Sequence, residues 1–117
     1  MGVGGEYVKA VEKLRKELRA GLYSYLVLLI LEREGELHGY GIRKKLEELT
    51  NGRLVPSEGT LYDLLKSLKK HKLIEDRLVL IGKRPRRYYR ITSQGRDVLE
   101  ELREEVREII GILEVVT

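Results

Sequence analysis

The stretch Pro56-Ser57-Glu58-Gly59-Thr60-Leu61-Tyr62-Asp63-Leu64-Leu65, continuing as Lys66-Ser67-Leu68-Lys69-Lys70, restricts the fold more than any other part of the chain. Pro56 stops an upstream element and Ser57 is a good N-cap. Leu61, Leu64, Leu65 and Leu68 then recur at the i, i+3, i+4, i+7 spacing of a helix with one buried face, which predicts a helix over residues 57–71. At 100° per residue the other face carries Gly59, Tyr62, Asp63, Lys66, Ser67 and Lys70, small or polar at the start and basic further on. A helix that reads a nucleic-acid groove needs such a face. An amphipathic surface helix without a special task shows the same pattern, so the flanking sequence has to decide between them.

With 117 residues, 42% of them hydrophobic, the chain is expected to form one domain over residues 1–117. It has no Cys, hence no disulfide framework and no thiolate metal site. The longest apolar run, Leu26-Val27-Leu28-Leu29-Ile30-Leu31, falls far short of the roughly 20 residues of a membrane-spanning helix. The start lacks the basic and apolar regions of an export signal. A cytoplasmic protein without membrane contact is the expectation. Between residues 66 and 90 stand ten Lys or Arg (Lys66, Lys69, Lys70, Lys72, Arg77, Lys83, Arg84, Arg86, Arg87, Arg90) against Glu75 and Asp76, a local charge of +8. Because the whole chain carries +4, the remainder is −4. A basic segment on an acidic background points to a polyanion partner, although single charge runs are often only solvated surface.

Met1-Gly2-Val3-Gly4-Gly5 is too rich in Gly to be ordered by itself. Tyr7, Val11, Leu14 and Leu18 step by 4, 3 and 4, which predicts a heptad-like helix over 6–20 lying against another helix. A more apolar helix follows at 22–34, with Leu26 to Leu31 as the centre of the core and Gly35 as its C′ residue. Leu37 to Gly41 then turns into a helix from Ile42 to Leu49, with Ile42, Leu46 and Leu49 inward, closed by Thr50-Asn51-Gly52. Arg53-Leu54-Val55 is a candidate edge strand. Strands are expected at 73–81 and 88–92, the second with Tyr89 and Ile91 inward, joined by a basic tip, Gly82-Lys83-Arg84-Pro85-Arg86-Arg87. Ser93 is the expected cap of a last helix, 93–117, with Leu99, Leu102, Val106, Ile109, Leu113 and Val116 at steps of 3, 4, 3, 4, 3. A monomeric core could cover part of that stripe, but the N-terminal helix carries a matching one, and a symmetric homodimer whose terminal helices pack across the two-fold axis explains both.

Helix, turn, helix and basic hairpin in this order form the layout of a winged helix-turn-helix: a mainly α, α+β fold with core 22–92, recognition helix 57–71 and wing 73–92. Here an N-terminal helix and a C-terminal dimerisation helix are added to it. Leu37-His38-Gly39-Tyr40-Gly41-Ile42, Ser57-Glu58-Gly59-Thr60-Leu61-Tyr62 and Arg84-Pro85-Arg86-Arg87-Tyr88-Tyr89-Arg90-Ile91-Thr92 with Gly95 resemble the PadR family of transcriptional regulators. The resemblance covers about residues 22–102. It implies a winged-helix dimer, usually a repressor, that binds double-stranded DNA at a palindromic operator. It also implies, in several members, a small-molecule effector site near the dimer interface. The short C-terminal helix points to the compact subgroup. Family members usually have Pro directly after the motif tyrosine, whereas this chain has Asp63, so the operator preference of the family does not carry over. A carboxylate repels phosphate but can accept from a cytosine amino group.

The candidate groove and backbone contacts are Thr60, Tyr62, Asp63, Lys66 and Ser67, with Ser57 and the helix start as a phosphate position. Lys83, Arg84, Arg86 and Arg87 would add affinity independent of sequence, and Tyr40 a hydroxyl to phosphate. Tyr88 reads evenly as contact or structure, and Tyr40 and Tyr62 have an alternative as rings packed between helices. All seven aromatic residues are Tyr, so some must be structural. The candidate dimer residues are Tyr7, Val11, Leu14, Leu18, Leu99, Leu102, Val106, Ile109, Leu113 and Val116. No catalytic residue, metal site or cofactor is expected: His38 and His71 are the only histidines and lack ligand spacing, and His38 reads as a capping or packing residue. The alternative to DNA binding is a winged-helix module that docks proteins.

Overall fold

The computed structural model describes residues 4–117. Its elements are α1 (Gly5–Ala20), α2 (Tyr23–Glu34), β1 (Leu37–His38), α3 (Gly39–Thr50), α4 (Glu58–Lys70), β2 (Ile74–Ile81), β3 (Arg84–Ile91) and α5 (Ser93–Val116). The expectation of an unordered start lies outside the described residues for Met1 to Val3, and Gly5 already belongs to α1. The fold is mainly helical with one small antiparallel sheet.

α2 is apolar enough to be covered on most of its circumference, so it sits at the centre. Val27, Leu28, Ile30 and Leu31 are buried with Ile42 and Leu46 of α3 and with Leu61, Leu65 and Leu68 of α4. Gly35 ends the helix at φ +79°, a conformation that favours glycine. α3 begins three residues before the expected Ile42 because His38 is extended and its Nδ1 accepts from the Gly41 N–H at 2.9 Å. Asn51 (φ 52°) and Gly52 (φ 73°) close α3 in the left-handed region, as their sequence predicts. Leu49, expected inward, is half-exposed, since the chain turns away at Thr50. The strand expected at 53–55 does not form. Arg53 N–H is committed to the Thr50 carbonyl and Leu54 N–H to the Thr50 hydroxyl, each at 3.0 Å, which leaves neither for a ladder.

The sheet order is β1-β3-β2, with β3 in the middle. β1, only two residues, was not expected; it pairs Leu37 with Tyr89 and His38 with Tyr88. β3 starts at Arg84 rather than Tyr88, so most of the basic tip is strand and the turn is reduced to Gly82-Lys83, with Gly82 at φ +65°. Pro85 is tolerated there. The turn-closing pair Ile81 and Arg84 is hydrogen-bonded in a two-residue hairpin, so the next pair, Leu80 and Pro85, exchanges no ladder bond. Tyr89 and Ile91 face inward as expected.

α5 is capped by Thr92, not Ser93: the Thr92 hydroxyl accepts from Gly95 N–H at 3.0 Å. Thr92 still has the extended backbone that an N-cap needs, whereas Ser93 is already helical. Gly95 is required for space, because a Cβ there would collide with the Leu73 carbonyl and the Ile91 side chain. Leu99 has to be removed from the dimer seam. It is fully buried within the protomer, in the core that α2 and α5 share, so no second chain can reach it. Leu102 and Val106 are half-buried, and Ile109, Leu113 and Val116 are exposed. On α1, which has no buried residue, Tyr7, Leu14 and Leu18 are exposed and Val11 half-buried.

Candidate nucleic-acid interface

α4 is anchored from within and at its entry. Its buried leucines fix one face, and the Ser57 hydroxyl accepts from Thr60 N–H (3.2 Å) while bonding to the Thr60 hydroxyl (2.9 Å). Arg43 of α3 donates from Nε to the Pro56 carbonyl at 3.1 Å, which ties the residue before the cap to the neighbouring helix. Thr60, Tyr62, Asp63, Lys66 and Ser67 all emerge on the solvent side. Among the described residues Asp63 and Lys66 have no ion-pair partner, so both remain available to a ligand. Tyr62 is only part of this surface. A Cβ on Gly39 would lie 2.8 Å from the Tyr62 hydroxyl, so the ring rests on the start of α3 with its other side open. Tyr40, 69% exposed, does not pack between helices; its ring stacks on the His38 imidazole with centroids 6.1 Å apart.

The wing divides its cations between two faces. Strand alternation puts Arg84, Arg86, Tyr88 and Arg90 on one side of β3, and Pro85, Arg87, Tyr89 and Ile91 on the other, toward the core. Arg87 is therefore not equivalent to Arg86. Its Nη1 donates to Asp76 at 2.6 Å, and Lys69 of α4 reaches the same carboxylate at 3.1 Å. Asp76 thus clasps α4 to the wing, with only 9% of its side chain exposed. Burial pushes the Asp76 carboxyl up, but the hydrogen bonds from Arg87 and Lys69, with their charges, outweigh it and hold the group below its ordinary value. Arg77 forks onto Glu36 with contacts of 2.6 to 2.9 Å, which lowers the Glu36 carboxyl and raises the Arg77 guanidinium. Arg90 pairs with its cross-strand neighbour Glu75 at 2.6 Å.

Four of the ten cations counted between 66 and 90 are thereby committed within the chain. Lys66, Lys70, Lys72, Lys83, Arg84 and Arg86 have no acidic partner among the described residues. Ser57, Thr60, Tyr62, Asp63, Lys66 and Ser67 lie along α4, with Tyr40 beside its start and Lys83, Arg84 and Arg86 on the wing. Tyr88 is half-buried, and its ring meets the His38 imidazole edge-on at 5.4 Å. Asp76, Glu36 and Arg43 escaped the sequence reading as site-building residues. Asp76 had a signal, since the parity that buries Ile74 puts this acid on the inward face of β2; Arg43 had none.

The model of the transcriptional regulator PadR-like family matches residues 27–101. A transcriptional regulator YqjI of Escherichia coli (strain K12) is 34% identical over 106 residues, 91% of this chain and 49% of that protein. The chain therefore spans about half the length of that curated relative. A PadR family transcriptional regulator from Eggerthella lenta has 28% identity and a TM-score of 0.79, with 97% of both chains covered. Bacillus subtilis PadR in complex with operator DNA has 28% identity and a TM-score of 0.64, over 69% of this chain and 46% of that one.

The Asp76 clasp sets a pH dependence. A carboxyl lowered on folding contributes stability in full above its unfolded pKa, roughly 3.9, and loses it as the pH falls through the lower folded value. Asp76→Asn is expected to destabilise by about 1 kcal/mol at neutral pH, at the scale of an exposed pair, because Lys69 and Arg87 are half-exposed and regain water. Urea unfolding at a series of pH values should show that difference constant down to about pH 4 and shrinking below it. A difference undiminished at pH 2 would mean that something other than the ion pair had been lost.

Proposed function

The chain belongs to the PadR-like family of transcriptional regulators, and from that premise we propose that it binds double-stranded DNA sequence-specifically, as a homodimeric repressor. Each protomer lays α4 in the major groove and sets its wing on the adjacent backbone. The observation that carries the reading is the division of α4 into a buried leucine face and an exposed, unpaired face with Thr60, Tyr62, Asp63, Lys66 and Ser67. Asp63 and Lys66 meet base edges or the phosphates beside them. Ser57 and the free N–H groups at the helix start take a phosphate, and Arg84, Arg86 and Lys83 neutralise the flanking strand. Tyr40 and Tyr88 border the same surface. The reading assigns no catalysis. Exposed Leu78 and Leu80 on β2 favour the second reading, a module that docks proteins through its wing.

The homodimer rests on Tyr7, Val11, Leu14 and Leu18 of α1 with Val106, Ile109, Leu113 and Val116 of α5, with Leu102 at the margin. A small-molecule effector would sit in the apolar cleft of about 560 Å³ between Leu18, Leu22, Ile109 and Leu113. A second copy would roof it.

Selection of bound duplexes from a random pool tests the function, with a palindromic consensus whose half-sites lie about one helical turn apart as the expected result. A pool without enrichment favours the docking module. On a selected duplex, Arg86→Ala should lower affinity for all sequences and flatten the salt slope by roughly one unit, and Arg87→Ala by less, because Asp76 already holds that guanidinium. Equal and unchanged slopes would remove the wing from the phosphate contact. Ile109 is 44% exposed, so Ile109→Asp should leave each protomer folded while weakening dimerisation by roughly 30-fold or more. Sedimentation of an intact dimer at low concentration would refute the seam.

A further inference from the structure

Between the start of α3 and the wing is a notch of about 290 Å³ lined by His38 and Arg86 together with Tyr40, Tyr62 and Tyr89. His38 caps α3 through Nδ1, 2.9 Å from the backbone nitrogen of Gly41. A backbone N–H can only donate, so Nδ1 accepts, and a neutral imidazole then carries its proton on Nε2. On the Nε2 side stands Nη1 of Arg86, at 3.2 Å. A guanidinium nitrogen also can only donate. The imidazole cannot accept from both neighbours. Gly41 N–H is held by the helix, whereas Arg86 is a long exposed side chain, so the cap decides the tautomer. Two donors, His38 Nε2–H and Arg86 Nη1–H, therefore confront one another, and among the described residues neither has another hydrogen-bond partner. The ring cannot easily turn away, because Tyr40 stacks on one face and Tyr88 meets its edge.

We propose that this notch takes a phosphodiester group of the DNA backbone, with His38 Nε2–H and Arg86 donating to the same phosphate. The proposal rests on the DNA-binding reading and adds His38 to it as a ligand-contacting residue. A hydrogen bond to an anionic oxygen is stronger than one between neutral groups, and a neutral donor adds position rather than charge. One side chain then both starts α3 and registers the wing on the backbone. Arg86 has no acidic partner to draw it elsewhere, in contrast to Arg87.

The test separates the cap from the donor. Asn is a preferred N-cap, but it has no counterpart of the distal Nε2–H, so His38→Asn should keep α3 capped and the chain folded, with the melting temperature lowered only by the lost ring contacts to Tyr40 and Tyr88. Its affinity for a duplex that the wild type binds should fall roughly tenfold, with the salt slope unchanged because no counterion is released by a neutral donor. With one phosphate shared, His38→Asn combined with Arg86→Ala should lose less than the product of the single losses. In the free wild type, imidazole ¹⁵N spectra should show the Nε2–H tautomer, and the duplex should shift that resonance even if His38→Asn proves unstable. An Nδ1–H tautomer, an unshifted resonance, wild-type affinity in His38→Asn or multiplicative losses would each overturn the proposal. A shift with inorganic phosphate alone and none with duplex would assign the notch to a free anion and overturn it too. A wild type that binds no duplex sinks the DNA reading itself, and this is seen before any variant is made.

Discussion

Where α4 ends, one short segment holds three elements together. Lys72 N–H donates to the Lys69 carbonyl at 2.9 Å and Leu73 N–H to the Leu68 carbonyl at 3.0 Å, the double closure that follows a left-handed residue, here Lys72 at φ 61°. The carbonyls of the same two residues then point at the last strand. Lys72 O accepts from the Thr92 hydroxyl at 2.7 Å, and Leu73 O from Thr92 N–H at 3.0 Å. That hydroxyl in turn accepts from Gly95 N–H and starts α5. A non-glycine residue in this conformation costs about 1–2 kcal/mol, comparable to what a few such hydrogen bonds contribute at about 1 kcal/mol each. The angle between α4, the wing and α5 is thus set by backbone bonds and by the Thr92 hydroxyl, a rigidity that the base reading proposed for α4 requires to within a fraction of an ångström.

The charges that shape the fold are distinct from those left for a partner. Asp76, Glu36 and Glu75 each draw a wing cation into the protomer. Exposed pairs of this kind contribute little to stability, so their main consequence is geometric. Asp76 links α4 to β3, and Glu36 links the turn after α2 to β2. A count of Lys and Arg therefore overstates the charge offered to phosphate, and the correction falls on particular residues. Arg87 is largely spent, whereas Arg86, one position away on the opposite face, is not.

Much of this was legible in the sequence. α2 could be read from its continuous apolar run, the other helices because each has an apolar face at a period of 3.6, and Ser57 because a preferred cap stands directly before such a face. β1 could not, since two residues have no period. The early start of β3 was hidden by composition: Arg84 to Arg87 has the look of a loop, yet backbone pairing with β2 is indifferent to side chains that point into water. Thr92 and Ser93 are both good caps, and only the last ladder bonds choose between them. Leu99 was misplaced because a heptad stripe does not reveal which of its positions the same chain covers. At the site, the exposed face of α4 followed from its buried one. The clasp was concealed by reading Asp76 as a charge rather than as an inward position. The donor role proposed for His38 depends on what lies at both ends of its ring, which sequence neighbours do not disclose.

The apolar stripe of α5 changes cover near Val106. Leu99 and Leu102 pack into the protomer, whereas Ile109, Ile110, Ile112 and Leu113 stay about half-exposed, and Val115 and Val116 more so. α1 presents Tyr7, Leu14 and Leu18 to solvent and has no fully buried residue, although at 16 residues it is close to the length at which isolated helices are marginal in water. α1 and α5 thus leave apolar faces uncovered, with a cleft between them. A two-fold contact is self-complementary, so one surface made of α1 and α5 would complete both copies at once. Such an interface lies at the far end of α5 from the Thr92 junction, and α5 is a single uninterrupted helix between them. In the proposed dimer, a shift in how two copies seat their terminal helices would reach α4 through a rigid lever and change the separation of the two copies of α4.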